Sequence, residues 1–354
     1  VTTKQFFNLI KKVPPPKTFQ TITFGCRVNA AETNQLTQIL VNHGLTPDNK
    51  NPKIILVNTC TVTKKAESES IRKVRSLAQK YPQTHILTTG CVTSPKLKNT
   101  KTVHIFTNKT KQKILKNQNF YTPQIGDKYS SSHRYILKIQ SGCNHFCSYC
   151  IVPFRRPQLW HLPIPTAIKI VNSALKNGYQ EIILTGINLD LYTPQLSSLL
   201  KNLLEKTKVP LISFGSIPLN CINDQFLNLY KNPPYSHRLS HFLHIPIQSG
   251  SNKILKLMNR PYTKQDISNT FQKLKQIPLI SFGTDIIVGF PGETQKNFQD
   301  TYNLCQQIDF AKIHVFRYSP RPGTSAQKLF DQNPKIKNSE KHHRSQLIRS
   351  LMLK

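Results

Sequence analysis

The chain of 354 residues is long enough for two domains with sizeable cores, and a hydrophobic share of 38% without any bilayer-length apolar run excludes a helical membrane protein. Its 49 basic and 16 acidic residues give a net charge of +33, a field that favours a polyanion such as RNA over cationic ligands. A compositional drift toward Lys, Asn, Gln and Ile would produce the same excess, which runs through both halves. Between Glu69 and Asp127 there are eleven Lys or Arg and no acidic residue. Phe6, Phe7, Leu9 and Ile10 make an apolar patch too short for a signal segment, and Pro14 to Pro16 follow it. The expectation is a cytoplasmic protein with no membrane partner, whose eight cysteines serve metal binding or catalysis more than disulfides.

In chain order, strand-like runs at Thr21–Phe24, Ile54–Asn58, His85–Thr89 and Val103–Phe106 alternate with helical patterns near Ala31–His43, Lys64–Lys80 and Thr110–Lys116. Such alternation predicts an α/β domain with a parallel, flavodoxin- or Rossmann-like sheet over residues 17–120. A polar stretch at 121–133 reads as a linker. The alternation restarts with strands at Tyr135–Ile139, Glu181–Leu184, Leu211–Phe214, Phe242–Ile247, Ile280–Ile287 and Lys312–Phe316. Helical patterns lie at Thr166–Asn177, Gln195–Lys206, Asp224–Tyr230, Lys264–Gln276 and Thr294–Gln307. Six βα units over 134–332 predict a partial (β/α)6 TIM-like barrel, with chemistry at the carboxyl ends of its strands. Residues 333–354 read as a basic C-terminal tail that forms a terminal helix.

Cys143, Cys147 and Cys150 follow the first strand of the second domain in Ser-Gly-Cys-Asn-His-Phe-Cys-Ser-Tyr-Cys. Zinc sites use two spaced pairs and a fourth protein ligand. Three thiolates spaced Cys-x3-Cys-x2-Cys, with an aromatic before the last, instead match the way radical SAM enzymes hold a 4Fe–4S cluster, leaving one iron for S-adenosylmethionine. Cys26, Cys60 and Cys91 each follow a strand of the first domain, 34 and 31 residues apart. A parallel sheet would bring these strand ends to one edge, where Gly25, Thr59 and Gly90 leave room for a bulky group. Three unrelated half-buried cysteines is the plainer alternative.

Gly25-Cys26-Arg27-Val28-Asn29 with Glu32-Thr33, Asn58 to Thr63 and Thr89-Gly90-Cys91 resemble the N-terminal domain of the radical SAM methylthiotransferases. The similarity continues through Cys143–Pro153, Leu184–Leu189, Pro246–Ser251, Asp285–Glu293 and Tyr318–Thr324, and so spans most of residues 17–350. The Asn-Thr-Cys-Thr-Val-Thr wording is most similar to the branch acting on N6-threonylcarbamoyladenosine-37 of tRNA, and less to the isopentenyladenosine and ribosomal-protein branches.

The resemblance implies two 4Fe–4S clusters, one on Cys143, Cys147 and Cys150 and a second on Cys26, Cys60 and Cys91. It further implies S-adenosylmethionine as source of a 5′-deoxyadenosyl radical and of the methyl group, the tRNA anticodon stem-loop as partner, and a flavodoxin-type electron donor. The sulfur donor is not specified. Tyr149, Thr185, Gly186, Asn188, Gln248, Ser249 and Gly289 are expected around the cofactor. His145, His241 and His244 are expected to make polar contacts or to face RNA, Cys221 and Cys305 to be structural, and Phe154 and Trp160 to stack on a base or pack in the core.

Four departures from the family pattern stand out: Pro157 at a Gly position, Leu162 at an Arg position, and Ser213 and Pro218 in place of Arg and Glu. Arg156 is retained. The sequence ends without the TRAM domain that grips tRNA in most relatives, and the basic tail is expected to compensate. Two readings stay beside tRNA methylthiolation: another modified base or a ribosomal protein as target, and an iron–sulfur RNA-binding protein without catalysis.

Overall fold

A computed structural model describes residues 1–92, 97, 100–116 and 133–352. The chain divides into two compact units, Val1–Pro123 with Ile151–Leu159, and Gln124–Cys150 with Trp160–Lys354. The expected linker at 121–133 lies, apart from His133, outside the described residues. Among the described residues no helix is long and apolar enough to cross a membrane.

In the first unit, strands β1 (Thr18–Thr23), β2 (Thr46–Pro47), β3 (Ile54–Thr59), β4 (His85–Gly90) and β5 (Val103–Ile105) form an all-parallel sheet of order β2-β1-β3-β4-β5. Every residue of β3 is buried, as befits a central parallel strand covered on both faces. Its alternation divides two cores. Ile54 and Leu56 pack with residues of helices α1 (Thr3–Lys11), α2 (Arg27–Asn42) and α4 (Asn108–Lys116). Ile55 and Val57 pack with Ile71, Val74 and Leu77 of α3 (Lys64–Lys80). The short Val152–Arg155 helix, α5, belongs to this unit although it follows Cys150 in sequence.

The N-terminal apolar patch has a different role from a loose end. Helix α1 is closed by a capping box in which Thr2 and Gln5 satisfy each other's backbone N–H groups. It buries Phe6 and Ile10 fully, with Phe6 edge-on to Phe106. The packed unit therefore starts before residue 17.

The second unit carries β6 (Arg134–Lys138), β7 (Gln140–Ser141), β8 (Trp160–His161), β9 (Glu181–Thr185), β10 (Leu211–Phe214), β11 (Phe242–His244), β12 (Ser281–Val288) and β13 (Lys312–Arg317). The long strands form parallel sheets of order β10-β9-β6 and β11-β12-β13, and a parallel bridge from Ile212 to Leu239 continues one into the other. Strand order therefore follows chain order, as in an open (β/α)6 barrel. Helices α6 (Ile164–Lys176), α7 (Leu196–Lys206), α8 (Asp224–Lys231), α9 (Pro233–Ser236), α10 (Asn252–Leu257), α11 (Lys264–Leu274), α12 (Gln295–Ile308), α13 (Ser325–Gln332) and α14 (Asn338–Ser350) complete the unit. Capping boxes at Thr263/Asp266 and Thr294/Asn297 start α11 and α12. Ile182, Leu184, Ile212, Phe214, Leu243, Phe282, Ile286, Ile313 and Val315 share one core with the helices, so alternate strand residues face the other way.

The basic segment expected as a tail is part of this barrel. Helix α14 buries Ile348 in the main core, and its Arg344 makes a 2.7 Å ion pair with Glu293, both side chains nearly inaccessible. Lys341 is also buried, stacked over the Tyr318 and Phe330 rings. Satisfying the Glu293 carboxylate fixes those charges inside, where they do not meet solvent or RNA.

Candidate active site

Cys26, Cys60 and Cys91 end three adjacent strands, β1, β3 and β4, at one edge of the first sheet. The register pairs Thr59 with Gly90, and the Cys91 N–H donates to the Thr59 carbonyl at 3.0 Å, so Cys60 and Cys91 leave the sheet side by side. Gly25 has φ +91°, and a Cβ there would stand 2.6 Å from the Cys60 sulfur; glycine is required for the Cys26 loop to approach it. Asn29 then ties the loops together, donating to the carbonyls of Phe24 and Thr59 at 2.8 and 2.9 Å. Cys26 is exposed while Cys60 and Cys91 are buried. Burial, and after it the charges of Cys91 and Cys26, push the Cys60 thiol up to about 11.

Behind this trio lies a buried charge network. Glu32 accepts from Arg156 at 2.8 and 2.9 Å and from Lys111 at 2.6 Å, all three side chains fully buried. Arg156 also donates to Asn29 Oδ1 at 2.8 Å and Lys111 to Asn58 Oδ1 at 3.3 Å. Burial lowers Lys111 to about 8 against the pull of Glu32, with Arg156 lowering it further. For Arg156 the burial cost is outweighed by Glu32 and by Cys91, which accepts a hydrogen bond from it, so the guanidinium stays charged. Two cations and one carboxylate thus lie buried behind Cys91. The Gly-Cys-Arg-Val-Asn…Glu-Thr wording thus encodes a scaffold for the thiols. Arg156, retained from the family pattern, ties the segment after α5 to Glu32 and Asn29 of α2.

In the second unit, Cys143, Cys147 and Cys150 are partly exposed on the loop after β7. The turn needs positive φ at Gly142 and Phe146, and the Cys150 N–H closes it on the Cys147 carbonyl at 2.9 Å. Ser148 anchors it: its N–H donates to Met258 and its hydroxyl to Leu257. Asn259 donates to the carbonyls of His145 and Phe146. Arg260 places a guanidinium nitrogen 3.4 Å from the Cys147 sulfur, and Asn188 Nδ2 stands 3.9 Å from that of Cys143. Burial raises the Cys143 thiol, opposed by the His145 N–H and the Asn188 amide. Three thiols with cationic or amide donors behind them are a donor set that fits an iron–sulfur cluster.

The other expected cofactor residues divide. Tyr149 packs against Ile254, Met258, Ile287 and Phe290, and burial pushes its phenol well up, against the nearby Arg260. Asn188 lies beside both Cys143 and His145. Gln248, at φ +69°, bridges to β12 through Asp285 and Ile287. Gly186 is needed for packing: a Cβ would stand 2.7 Å from Leu189 and 2.9 Å from Gln140, whose amide binds the Ser141 and Gly142 carbonyls. Thr185 is buried against Gly215. Ser249 is fully buried, with its hydroxyl 3.1 Å from that of Thr301 on α12. Gly289 donates to Glu293 at 2.6 Å and packs on Lys341, a structural turn.

Pro157 belongs to the first unit with Phe154, which is 53% exposed. Leu162 joins the main core and Trp160 packs on it under the Lys138 ammonium. Ser213 lies in β10 and Pro218 starts a short turn of helix. His145 pairs with Asp190 at 3.6 Å. Cys221 and Cys305 are buried, and burial pushes the Cys305 thiol up to about 12. Arg260 and Lys111 were not singled out by sequence. The Arg260 signal was its place after Asn259, a left-handed residue ending α10.

A model of the Radical SAM superfamily matches residues 137–305, and one described as Uncharacterized protein family UPF0004 matches residues 18–110. Among curated proteins the chain is 32% identical to threonylcarbamoyladenosine tRNA methylthiotransferase MtaB of Thermotoga maritima, covering 92% of this chain and 80% of that protein. It is also 32% identical to the Bacillus subtilis protein of the same name, over 91% of this chain and 78% of that one. It is 32% identical to the tRNA-2-methylthio-N(6)-dimethylallyladenosine synthase of Endomicrobium trichonymphae, over 90% and 81%. The structure of the radical S-adenosylmethionine methyltransferase TsrM from Kitasatospora setae shares the fold, at a TM-score of 0.62 and 12% identity, over 89% of this chain and 78% of that one. The α/β architecture and the parallel sheets expected from sequence are borne out, and the chain belongs to the radical SAM methylthiotransferase family.

Proposed function

We propose that the chain methylthiolates C2 of N6-threonylcarbamoyladenosine at position 37 of tRNA. The family implies a 4Fe–4S cluster and S-adenosylmethionine. The finer reading has two clusters, on Cys143, Cys147 and Cys150 and on Cys26, Cys60 and Cys91. When bound, these groups supply the radical chemistry and the methylthio donor that no side-chain acid or base can provide at an aromatic C–H. The residues supply the setting. Arg260 and Asn188 offset negative charge at Cys147 and Cys143, and Tyr149 shields the loop.

The observation that carries the second cluster is the buried network of Arg156, Lys111 and Glu32 beside Cys91. An anionic thiolate-bound cluster beside Cys91 would meet a cationic network that already donates toward the Cys91 sulfur. The net charge of +33 supports a polyanionic substrate such as an anticodon stem-loop. A flavodoxin-type protein is the electron donor in this reading.

A second reading rests on the Endomicrobium relative, whose name assigns it dimethylallyladenosine. Mass spectrometry of nucleosides from tRNA of cells lacking the gene separates them. Loss of 2-methylthio-threonylcarbamoyladenosine is the expected result, and loss of the dimethylallyl nucleoside selects the second reading. An unchanged profile of both overturns tRNA methylthiolation.

A further inference from the structure

His244, Asp285 and His314 lie on the face of the second unit's sheet opposite the helices, and none belongs to the cysteine sites. We propose that they form a binding site for a divalent transition-metal ion. Register puts Asp285 of β12 directly opposite His314 of β13, and His244 of β11 opposite Gly283, two residues before Asp285 on the same face. Gly283 is what lets the group converge. A Cβ there would stand 2.7 Å from His244 Nδ1, so its absence allows the imidazole to lie across toward Asp285.

The geometry is that of ligands around one point. His244 Nε2 is 3.0 Å and His314 Nδ1 3.3 Å from the same oxygen, Asp285 Oδ1, and all three ligand atoms lie within 4.8 Å of one another. Ligands bound at about 2.1 Å are spaced roughly 3.0 Å apart when cis on an octahedron and roughly 3.4 Å on a tetrahedron. Two imidazoles and one carboxylate suit Mn, Fe, Co, Ni or Zn, and three ligands leave coordination positions open. Without an ion, His244 Nε2 is at hydrogen-bond distance from Asp285 Oδ1, and an ion would replace the proton between them. Exposure rises from 10% at His244 through 23% at Asp285 to 47% at His314, which gives an ion a route from solvent.

The test uses anaerobically reconstituted holoenzyme, in which occupied cysteines cannot compete, and Mn2+, a hard ion that prefers nitrogen and oxygen ligands. Loss of the free Mn2+ electron paramagnetic resonance signal reports binding, and Zn2+ is added as competitor. The expected result is one Mn2+ per chain, displaced by Zn2+, with affinity at least about tenfold weaker in His314→Ala and Asp285→Asn. His314 is half-exposed on an edge strand, so its removal is expected to leave iron content and folding unchanged. Lys312→Ala, on the same strand, serves as the control and is expected to bind as the wild type does. Failure of the wild type to take up Mn2+, or equal binding by the His314 and Asp285 variants, overturns the proposal. Methylthiolation is not the readout, so this outcome is independent of the proposed function.

Discussion

Replacing Glu32 by Gln removes the carboxylate that receives Arg156 twice and Lys111 once, with all three side chains fully buried. The shape is kept and the charge is lost, so two cations remain in a site that no longer balances either. Breaking a buried pair in this way costs about 3–5 kcal/mol. Lys111 already sits at about 8, so it can relieve part of the strain by releasing its proton, which favours the lower end of that range. Trp160, the single tryptophan, lies in the second unit and does not report this loss. Hydrogen exchange of the β3 amides, in cluster-free reduced protein, does. At about 1.4 kcal/mol per factor of ten, the β3 amides should exchange roughly 100- to 3,000-fold faster in Glu32→Gln. Adding Lys111→Met to this variant should recover part of the protection. An acceleration below about tenfold would refute the claim that Glu32 neutralises this network.

Lys111 also sets a pH dependence. Its pKa falls from 10.5 to about 8 on folding, so the unfolded chain binds more protons there between those values, and the Lys111 contribution to stability rises across that window. The raised Cys60 and Cys305 thiols act the other way above about pH 9. The Lys111 contribution is about 3 kcal/mol and should be read as the change with pH in the difference between wild-type and Lys111→Met denaturant midpoints. Gly25→Ala forces a side chain to φ +91° and onto the Cys60 sulfur, so iron content should fall to about half while the Cys143 site stays loaded. Arg344→Met strands Glu293, whose carboxyl burial already raises, and should lower the melting temperature and loosen α14. A raised folded pKa means the folded state binds the extra proton, so this variant should regain stability as pH falls from 7 toward 5. Glu293→Gln in the same background should abolish that recovery.

The fold was largely legible because its signals are local. Thr63 caps a helix whose limits, Lys64–Lys80, follow from one amphipathic pattern, and Leu211–Phe214 reads as a strand from four residues. The two cysteine trios were visible as residues following strands. What stayed hidden depends on partners far away in sequence. Arg156 meets Glu32 across 124 positions, and nothing near either residue marks the pair. His244, Asp285 and His314 meet only through the register of β11, β12 and β13. Ser249 meets Thr301 of α12 across 52 positions, a contact that its own motif does not mark. In the basic C-terminal segment Lys335, Lys337 and Arg349 are exposed, and the burial of Arg344 comes from Glu293, 51 positions away. Likewise Phe6 and Ile10 gained their meaning from Phe106 and Ile114, far along the chain.

The central claim is that each cysteine trio holds its own iron–sulfur cluster. Iron and acid-labile sulfide are to be measured after anaerobic reconstitution, in the wild type and in two variants with Cys26, Cys60 and Cys91, or Cys143, Cys147 and Cys150, changed to alanine. Two cubane clusters predict about eight irons per chain in the wild type and about four in either variant. About four irons in the wild type, or zinc in place of iron at either trio, would contradict the account.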